Sequence, residues 1–535
     1  MQKFRFLILS ILSGLVMWMG WTPKPFPVLL LIGFIPLLRV EDEIAKKYSG
    51  KSNFRIFLYS YVAFAIWNFC TCWWVGNTTS PASGVFANLA NPMLMCVPFL
   101  LFHITKKKFG NLIGYISLIS FWLCFEFIHL RWELTWPWLT LGNGFASFPQ
   151  LIQWYEFTGA EGGTVWIWLC NILLFTLFAN KKFSLTFTAV TCFVIFQPIL
   201  ISFIQYNKPA IAKELPTKNV VVVQPNIDPY NEKFDRSTLQ SQMKKLSDLT
   251  KEKLNDETDY VVWPETALPQ GIWLNDIQNE PTIKECKKII KHFPKVNLIT
   301  GMNAYKEYET DETVTARKYE DGNGWYDIFN AAVQIDNTDS FQVYLKSKLV
   351  PGVERMPYPG FFKFLEPLTV NMGGITGSLG TQEHRGVFFA GDSTGIAPVI
   401  CYESIFGEYL TEYVRRGAGL IFIITNDGWW GNTAGHEQHL HYASIAAIET
   451  RRSIARSANT GTSCFIDMKG NIYQSTEWWK PNAISAQLSV NNYVTFYVEH
   501  GDYLARLGVF ISIILLLCLV IKKFVPTFLS SWISK

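Results

Sequence analysis

The sequence predicts an α-helical bundle of about eight membrane spans, with one large α/β domain inserted before the last span. Three observations carry that expectation. Of the 535 residues, 49% are hydrophobic and only 17% are charged, against roughly a quarter charged in ordinary globular chains. Mean hydropathy is nevertheless only +0.14, so a very apolar part is joined to an ordinary one. Long apolar runs crowd the first 204 residues and recur only near 505–522. Aromatic residues reach 16%, which excludes disordered, collagen-like and small disulfide-stapled chains. The net charge of +4 gives no reason to expect a nucleic-acid partner.

A spanning helix needs about 20 mostly apolar residues. Runs of this kind lie at roughly 4–21, 25–40, 54–75, 90–105, 111–130, 160–179 and 183–204, with the eighth at 505–522. The first two are short and broken by Pro. The first also has the Lys3 and Arg5 of a signal peptide, but Trp21-Thr22-Pro23-Lys24-Pro25 offers no small-residue cleavage site, and a second apolar run follows at once. Cytoplasmic loops carry the Lys and Arg excess. Lys3 and Arg5 precede span one; Arg39, Lys46, Lys47, Lys51 and Arg55 lie between two and three. Lys106, Lys107 and Lys108 lie between four and five, Lys181 and Lys182 between six and seven, and Lys522 and Lys523 after span eight. The intervening loops hold almost none. Both termini are therefore expected in the cytoplasm and 205–500 outside the inner membrane, in the periplasm of an enveloped bacterium. The domains expected are 1–204, 205–500 and 501–535. Glu126 and His129 fall at a helix end within the spans, where an ionisable group is either functional or hydrogen-bonded to a neighbouring helix.

From 219 onward short apolar runs recur, among them 219–224, 259–264, 296–301, 329–335, 396–402, 419–426 and 463–467. Helix-like stretches such as 237–255 and 437–454 lie between them, the pattern of an α/β domain. The polar, Gly-containing stretch 305–325 reads as a surface hairpin. Seven of the ten Cys lie in or beside apolar spans, leaving Cys286, Cys401 and Cys464 in the outer domain. Three cannot all pair, and Cys286 and Cys464 read as buried core.

Three residues could carry chemistry. Cys401 follows a β-like run and precedes a helix-like one, so its sulfur would sit near a helix N-terminus that lowers a thiol pKa. Glu265 closes an apolar strand behind Trp263-Pro264, where limited hydration would suit a base. Lys346 follows the strand-like VYL, with Lys348 on the same strand face. Each alone reads first as a structural part: a buried strand-end Cys, a helix N-terminal carboxylate, a solvated strand edge. Glu354 and Glu403 flank the same elements. At three strand ends of one domain, a base, a cation and a thiol make up what acyl transfer through a thioester requires.

These residues resemble the nitrilase superfamily. The likeness rests on Gln224-Pro225-Asn226, Trp263-Pro264-Glu265-Thr266, Lys346 with Leu349-Val350-Pro351, Ile400-Cys401-Tyr402-Glu403 and Asn426-Asp427-x-Trp429. With the flanking spans, Trp136-Pro137-Trp138-Leu139, Gly431, Gln438-His439, Glu449-x-Arg451 and Arg456-Ser457-x-Asn459-x-Gly461, it extends over nearly the whole chain. At that length the chain resembles the apolipoprotein N-acyltransferase family. It departs from the family pattern at Gly352-Val353, Asn143, Phe234 and Ala446.

The resemblance implies a nitrilase-like α-β-β-α sandwich with Glu265 as base, Lys346 as oxyanion cation and Cys401 as nucleophile. Glu354, Glu403 and Tyr402 would support them. Phe234, Trp429, Trp430, Trp136 and Asn426 would contact substrate. The implied acyl donor is a phospholipid of the phosphatidylethanolamine type and the acceptor a diacylated apolipoprotein, with the lipid bilayer as third partner. A monomer is implied, with no cofactor and no metal. His436, His439 and His441 have the spacing of a surface helix face rather than of a metal site. The segments 269–277 and 356–368, and Trp429-Trp430, have the composition of interfacial lids, with 372–380 as a hinge; packing on the domain is the other reading. Two rival functions use the same residues differently: a membrane-tethered Glu-Lys-Cys hydrolase, and a non-catalytic lipid-binding scaffold.

Overall fold

The computed structural model describes residues 2–48, 50–78, 81–179, 184–208, 215–358 and 378–533. It divides into two compact units. One comprises Met1–Gly76, Pro81–Gln205 and Asp502–Lys535; the other comprises Asn77–Ser80 and Tyr206–Gly501.

In the helical unit, seven helices among the described residues are long and apolar enough to cross a membrane: Lys3–Gly20, Ser52–Asn77, Pro81–Phe109, Asn111–His129, Tyr155–Ala179, Leu185–Asn207 and Tyr503–Lys522. The expected run at 25–40 is not a continuous helix. Pro27–Leu31 is a 3-10 turn, and a helix of 13 residues, Ile35–Lys47, follows and carries Arg39, Glu41, Asp42 and Glu43. Pro27 and Pro36 lack the N–H that an unbroken ladder needs. The buried side chain of Asn171 satisfies the break. Its Nδ2 donates to the Leu30 carbonyl and its Oδ1 accepts from the Phe34 N–H, both at 2.8 Å. In hydrocarbon, unmade bonds of this kind cost several kcal/mol each.

Glu126 is similarly committed. It accepts from Trp122 Nε1 at 3.0 Å, from the Leu141 N–H at 2.8 Å and from Thr164 Oγ1 at 2.8 Å. It thereby joins the helices Asn111–His129 and Tyr155–Ala179 to the 3-10 turn Leu141–Phe145. His129 Nε2 lies 2.8 Å from Asn91 Oδ1. Of the two readings open for this pair, the hydrogen-bonded one describes both.

The second unit is built on two sheets. The first takes β1 (Thr217–Gln224), β2 (Tyr260–Val262), β3 (Leu268–Trp273), β4 (Asn297–Tyr308), β5 (Arg317–Lys318), β6 (Trp325–Ile335) and β7 (Gln342–Leu345). The second takes β8 (Phe388–Phe389), β9 (Gly395–Ile400), β10 (Ala418–Thr425), β11 (Ser453–Ala458), β12 (Cys464–Ile466) and β13 (Ile472–Tyr473); β14 (Asn482–Ser489) returns to the first. The first runs β14-β1-β2-β4-β6-β5, with β3 beside β4 and β7 beside β6; the second runs β13-β12-β11-β10-β9-β8. β1, β2 and β4 are parallel, as are β9, β10 and β11. Strands buried on both faces read as unbroken apolar runs, as in VVVV of β1 and LIFII of β10. Ser457 Oγ on β11 donates to the Val223 carbonyl on β1 at 2.8 Å, tying one sheet to the other. The helices Leu239–Lys253 and Pro281–Ile290 pack on the first sheet, and Gly407–Arg415 and Ala434–Thr450 on the second. This is the α-β-β-α sandwich.

The stretch 305–325 is the distal end of the long β4–β6 hairpin. Most of residues 269–277 belong to β3, where Ile272 is fully buried and the Trp273 ring lies 5.1 Å from Tyr305. The segments 356–368 and 372–380 fall largely outside the described residues. Cys286 and Cys464 are buried and unbridged. The helix Ala434–Thr450 presents no surface face of histidines, because His436 and His439 are both buried. Its apolar residues Ala443, Ile445, Ala446, Ala447 and Ile448 are all buried against its neighbours, with His436 and His439 facing protein and His441 half-buried.

Candidate active site

Each of the three candidate residues lies just beyond the C-terminal end of a strand, where open α/β sheets place their ligands. Cys401 directly follows β9 with φ +51°. A non-glycine residue in the left-handed region persists only where its surroundings over-determine it. Here Ser404 Oγ donates to the Cys401 carbonyl at 2.7 Å, and His439 Nε2 lies 3.2 Å from the same oxygen. The Glu403 side chain accepts from the Ile400 N–H at 2.9 Å on the preceding residue. The expected long helix does not start at Cys401. A five-residue 3-10 turn, Cys401–Ile405, comes first, and the helix Gly407–Arg415 begins beyond it. Cys401 therefore does not open a long α-helix. Burial pushes the Cys401 thiol up, the charge of Glu265 adds to this, and Lys346 offsets only part of it.

Glu265 follows β2 and is buried. Its Oε1 accepts from Asn330 Nδ2 at 2.8 Å and from Lys346 Nζ at 3.0 Å. Burial would raise its pKa, but the ammonium charges of Lys346 and Lys233 outweigh that and hold it below the ordinary glutamate value. Its main chain crosses β4 closely, since a Cβ on Gly301 would stand 2.7 Å from the Glu265 Cα. Gly301→Ala should push this turn away by a fraction of an ångström with the sheets intact. A misplacement of that order costs about 10- to 100-fold in rate, to be read as kcat in a protein with an unchanged circular dichroism spectrum.

Lys346 follows β7 and is 1% exposed. It donates to Glu354 Oε1 at 2.8 Å as well as to Glu265. Burial alone would lower its pKa, but the two carboxylates hold it well above the ordinary lysine value. Glu354 in turn accepts from Asn330 Nδ2 at 3.1 Å and from the Val350 N–H at 2.9 Å. Glu403 binds the Lys346 segment to the elbow. Its Oε1 accepts from the Ser347 N–H at 2.7 Å, Tyr344 Oη at 2.7 Å and Tyr409 Oη at 2.6 Å, while Oε2 holds Ile400. Glu265, Lys346, Cys401, Glu354 and Glu403 thus form one assembly. Tyr402 is buried beside them, its ring 5.1 Å from Phe406.

The residues named for substrate contact divide. Trp429 is partly exposed and lies edge-on to Tyr230 at 5.1 Å. Its neighbour Trp430 is buried and turns inward onto His439, also at 5.1 Å. The Asn426 Oδ1 is taken by Asn459 Nδ2 at 3.2 Å and Thr460 Oγ1 at 2.9 Å inside the domain. Phe234 is half-buried. Trp136 belongs to the helical unit, directly before the 3-10 turn Pro137–Leu139.

Further residues complete the assembly. Asn330, whose amide bridges both carboxylates, stands in the apolar run of β6, and an Asn inside such a run was the available signal. Lys233 donates to the Glu265 carbonyl at 2.8 Å, and only the fold brings it there. Behind Cys401, Asp427 Oδ1 lies 3.0 Å from His439 Nδ1, and Asp427 Oδ2 accepts from Arg456 Nη2 at 2.5 Å. Burial opposes the Asp427 charge, but Arg456 and His439 outweigh it and hold the carboxyl far below the usual range. The native state therefore binds fewer protons here than the unfolded chain. The stabilisation is complete above about pH 4, the ordinary Asp value, and is lost as pH falls through the depressed native value. Asp427→Asn leaves Arg456 buried and unpaired and should cost about 3–5 kcal/mol at pH 7. In melting curves the gap to the parent should narrow in acid.

Two family models match the chain. That of the carbon-nitrogen hydrolases covers residues 219–496, and that of the apolipoprotein N-acyltransferase N-terminal domain covers 13–173. Among curated relatives, the apolipoprotein N-acyltransferase of Chlorobaculum tepidum is 29% identical over 96% of this chain and 96% of its own. The Geobacter metallireducens protein of the same name is 24% identical over 93% and 92%. Among solved structures, an amidase of Nesterenkonia AN1 from the nitrilase superfamily is similar over 54% of this chain and 96% of its own, at 12% identity and a TM-score of 0.36. Saccharomyces cerevisiae Nit3 is similar over 51% and 90%, at 14% and 0.34. The chain belongs to the carbon-nitrogen hydrolase family, among its apolipoprotein N-acyltransferases.

Proposed function

We propose that the protein transfers an acyl chain from a phospholipid of the phosphatidylethanolamine type, through a thioester on Cys401, to the α-amine of a diacylglyceryl-cysteine on apolipoproteins. The observation that carries this is the buried Glu265–Lys346–Cys401 assembly in a chain that also bears membrane-spanning helices. Glu265 takes the proton from the Cys401 thiol as sulfur attacks the ester carbonyl. Lys346 and the main-chain N–H of Tyr402 stabilise the tetrahedral oxyanion. The lyso-lipid alcohol leaves with the proton and a thioester remains. The acceptor amine attacks, Glu265 accepts its proton, and the amide leaves with the thiol restored, a ping-pong path. With the thiol raised and the carboxylate depressed, proton transfer in the resting site is uphill, so it accompanies attack rather than preceding it.

The alternation of Lys and Arg supports both termini in the cytoplasm and 205–500 in the periplasm, between the membrane segments 1–204 and 501–535. The broken segment 27–47 would then be the second crossing. Trp429 is retained as a lipid-contact residue, and Phe234 and Trp136 remain candidates. The test is intact mass after incubation with phosphatidylethanolamine. A hydroxylamine-labile acyl increment should appear and discharge onto a diacylated lipopeptide as an amide. Clearance by water as fast as by lipopeptide would instead make the protein a hydrolase.

A further inference from the structure

Lys233 is a buried ammonium with no stated part in this chemistry. It is 2% exposed, and its one hydrogen bond to a named group goes to a neutral acceptor, the Glu265 main-chain carbonyl, at 2.8 Å. A buried charge without a bonded counter-charge is costly, so its position requires an explanation. The surroundings are built to hold it. The Lys233 N–H donates to the Asp228 carbonyl at 2.9 Å. The buried side chain of Gln242, from the helix Leu239–Lys253, donates to the Lys233 carbonyl at 3.2 Å and to that of Glu232 at 2.9 Å. Beyond Glu265 the chain turns through Thr266 at φ +45°, so the carbonyl that Lys233 holds belongs to a left-handed turn that carries the base.

The charges near the site also bear on it. Glu265 and Glu354 are two carboxylates, and Lys346 bonds both. One ammonium cannot balance two negative charges, whether both lie on the carboxylates or one has passed to the sulfur. Lys233 feels the charges of both Glu265 and Cys401; burial pushes its pKa down to about 8 and those two groups offset the fall only in part.

We propose that Lys233 is a second cation of the catalytic centre: a positioning residue that fixes the main chain of Glu265 and supplies positive charge that favours the Cys401 sulfur as it gives up its proton. The inference rests on Cys401 as nucleophile and Glu265 as base. Its two parts are separable, because Lys233→Gln can keep the hydrogen bond without the charge, whereas Lys233→Met loses both.

The test uses the full-length enzyme in detergent with phosphatidylethanolamine vesicles or micelles. The rate of iodoacetamide alkylation of Cys401 at pH 7, where Lys233 is charged, is followed by peptide mass, and acyl-thioester formation by intact mass. Lys233→Gln should slow both alkylation and acylation at pH 7 about tenfold, with the KM for phospholipid unchanged. Lys233→Met should slow acylation about a hundredfold, and Lys233→Arg should recover the alkylation rate. Thermal melts establish which variants fold, and the Gln variant decides the matter if the Met variant does not. A Gln variant with the parent's two rates overturns the charge role. A Met variant with the parent's kinetics overturns the whole inference. If the parent itself forms no thioester yet the Gln variant slows alkylation and the Arg variant recovers it, the functional reading fails and the coupling of Lys233 to Cys401 stands.

Discussion

Cys401→Ala should reduce acyl transfer to background, and Cys401→Ser should retain less than about a thousandth of the parent rate. Alanine leaves no nucleophile on the elbow. Serine keeps the shape, but its hydroxyl is a far weaker nucleophile at neutral pH, and its activation would fall on a base already held below the ordinary glutamate value. A thousandfold loss corresponds to about 4 kcal/mol of transition-state stabilisation. Neither change should unfold the domain. The main-chain carbonyl of residue 401 keeps its bonds from Ser404 and to the His439 side, and Glu403 still holds Ile400. The loss is therefore to be read in protein whose melting temperature lies within a few degrees of the parent. A Cys401→Ala variant that still transferred acyl chains would remove the thioester route, whatever the resemblance implies.

Much of this site was legible in the sequence because its parts lie at strand ends that apolar runs mark. β2 ends at Val262 and Glu265 follows; β7 ends at Leu345 and Lys346 follows; β9 ends at Ile400 and Cys401 follows. What was not legible depends on contacts between distant segments. Lys233 stands 32 positions from Glu265, with nothing local to announce it. Trp429 and Trp430 read alike in sequence, and only the 3-10 turn Asp427–Trp430 turns one toward Tyr230 and the other toward His439. The expected helix start at Cys401 failed for a local reason. Glu403 prefers to bond back to Ile400 and across to Tyr344, Tyr409 and Ser347, which holds 401–405 as a tight 3-10 turn. The second apolar run, 25–40, is not one continuous helix; its prolines announce the break in the sequence, but that Asn171 receives the freed main-chain groups is visible only in the fold.

Lys346→Met should have the second large effect, and its form discriminates between two accounts of the lysine. If Lys346 were only an oxyanion donor, its loss would lower the rate by about 10²–10³ and leave the pH profile in place. The geometry demands more. Glu265 and Glu354 both bond Lys346, and both bond the same Asn330 amide. Without the ammonium, two carboxylates, Glu265 buried and Glu354 half-buried, share one site, and like charges so placed do not both remain fully ionised. The proton that then settles on the pair removes the base for part of the population at neutral pH. The rate at pH 7 should fall by more than about 10³, and the remaining activity should rise toward alkaline pH as the pair gives up that proton. Lys346→Arg should not rescue it, since a planar guanidinium does not fit the place of a compact, 1% exposed ammonium. Adding Glu354→Gln to Lys346→Met removes the second carboxylate. It should return the acid limb of the profile toward lower pH without restoring the rate, a non-additivity expected of groups in one network. A single variant that lost rate with an unmoved profile would confine Lys346 to the oxyanion and leave Glu265 to be held in its ionised state by Lys233 and Asn330.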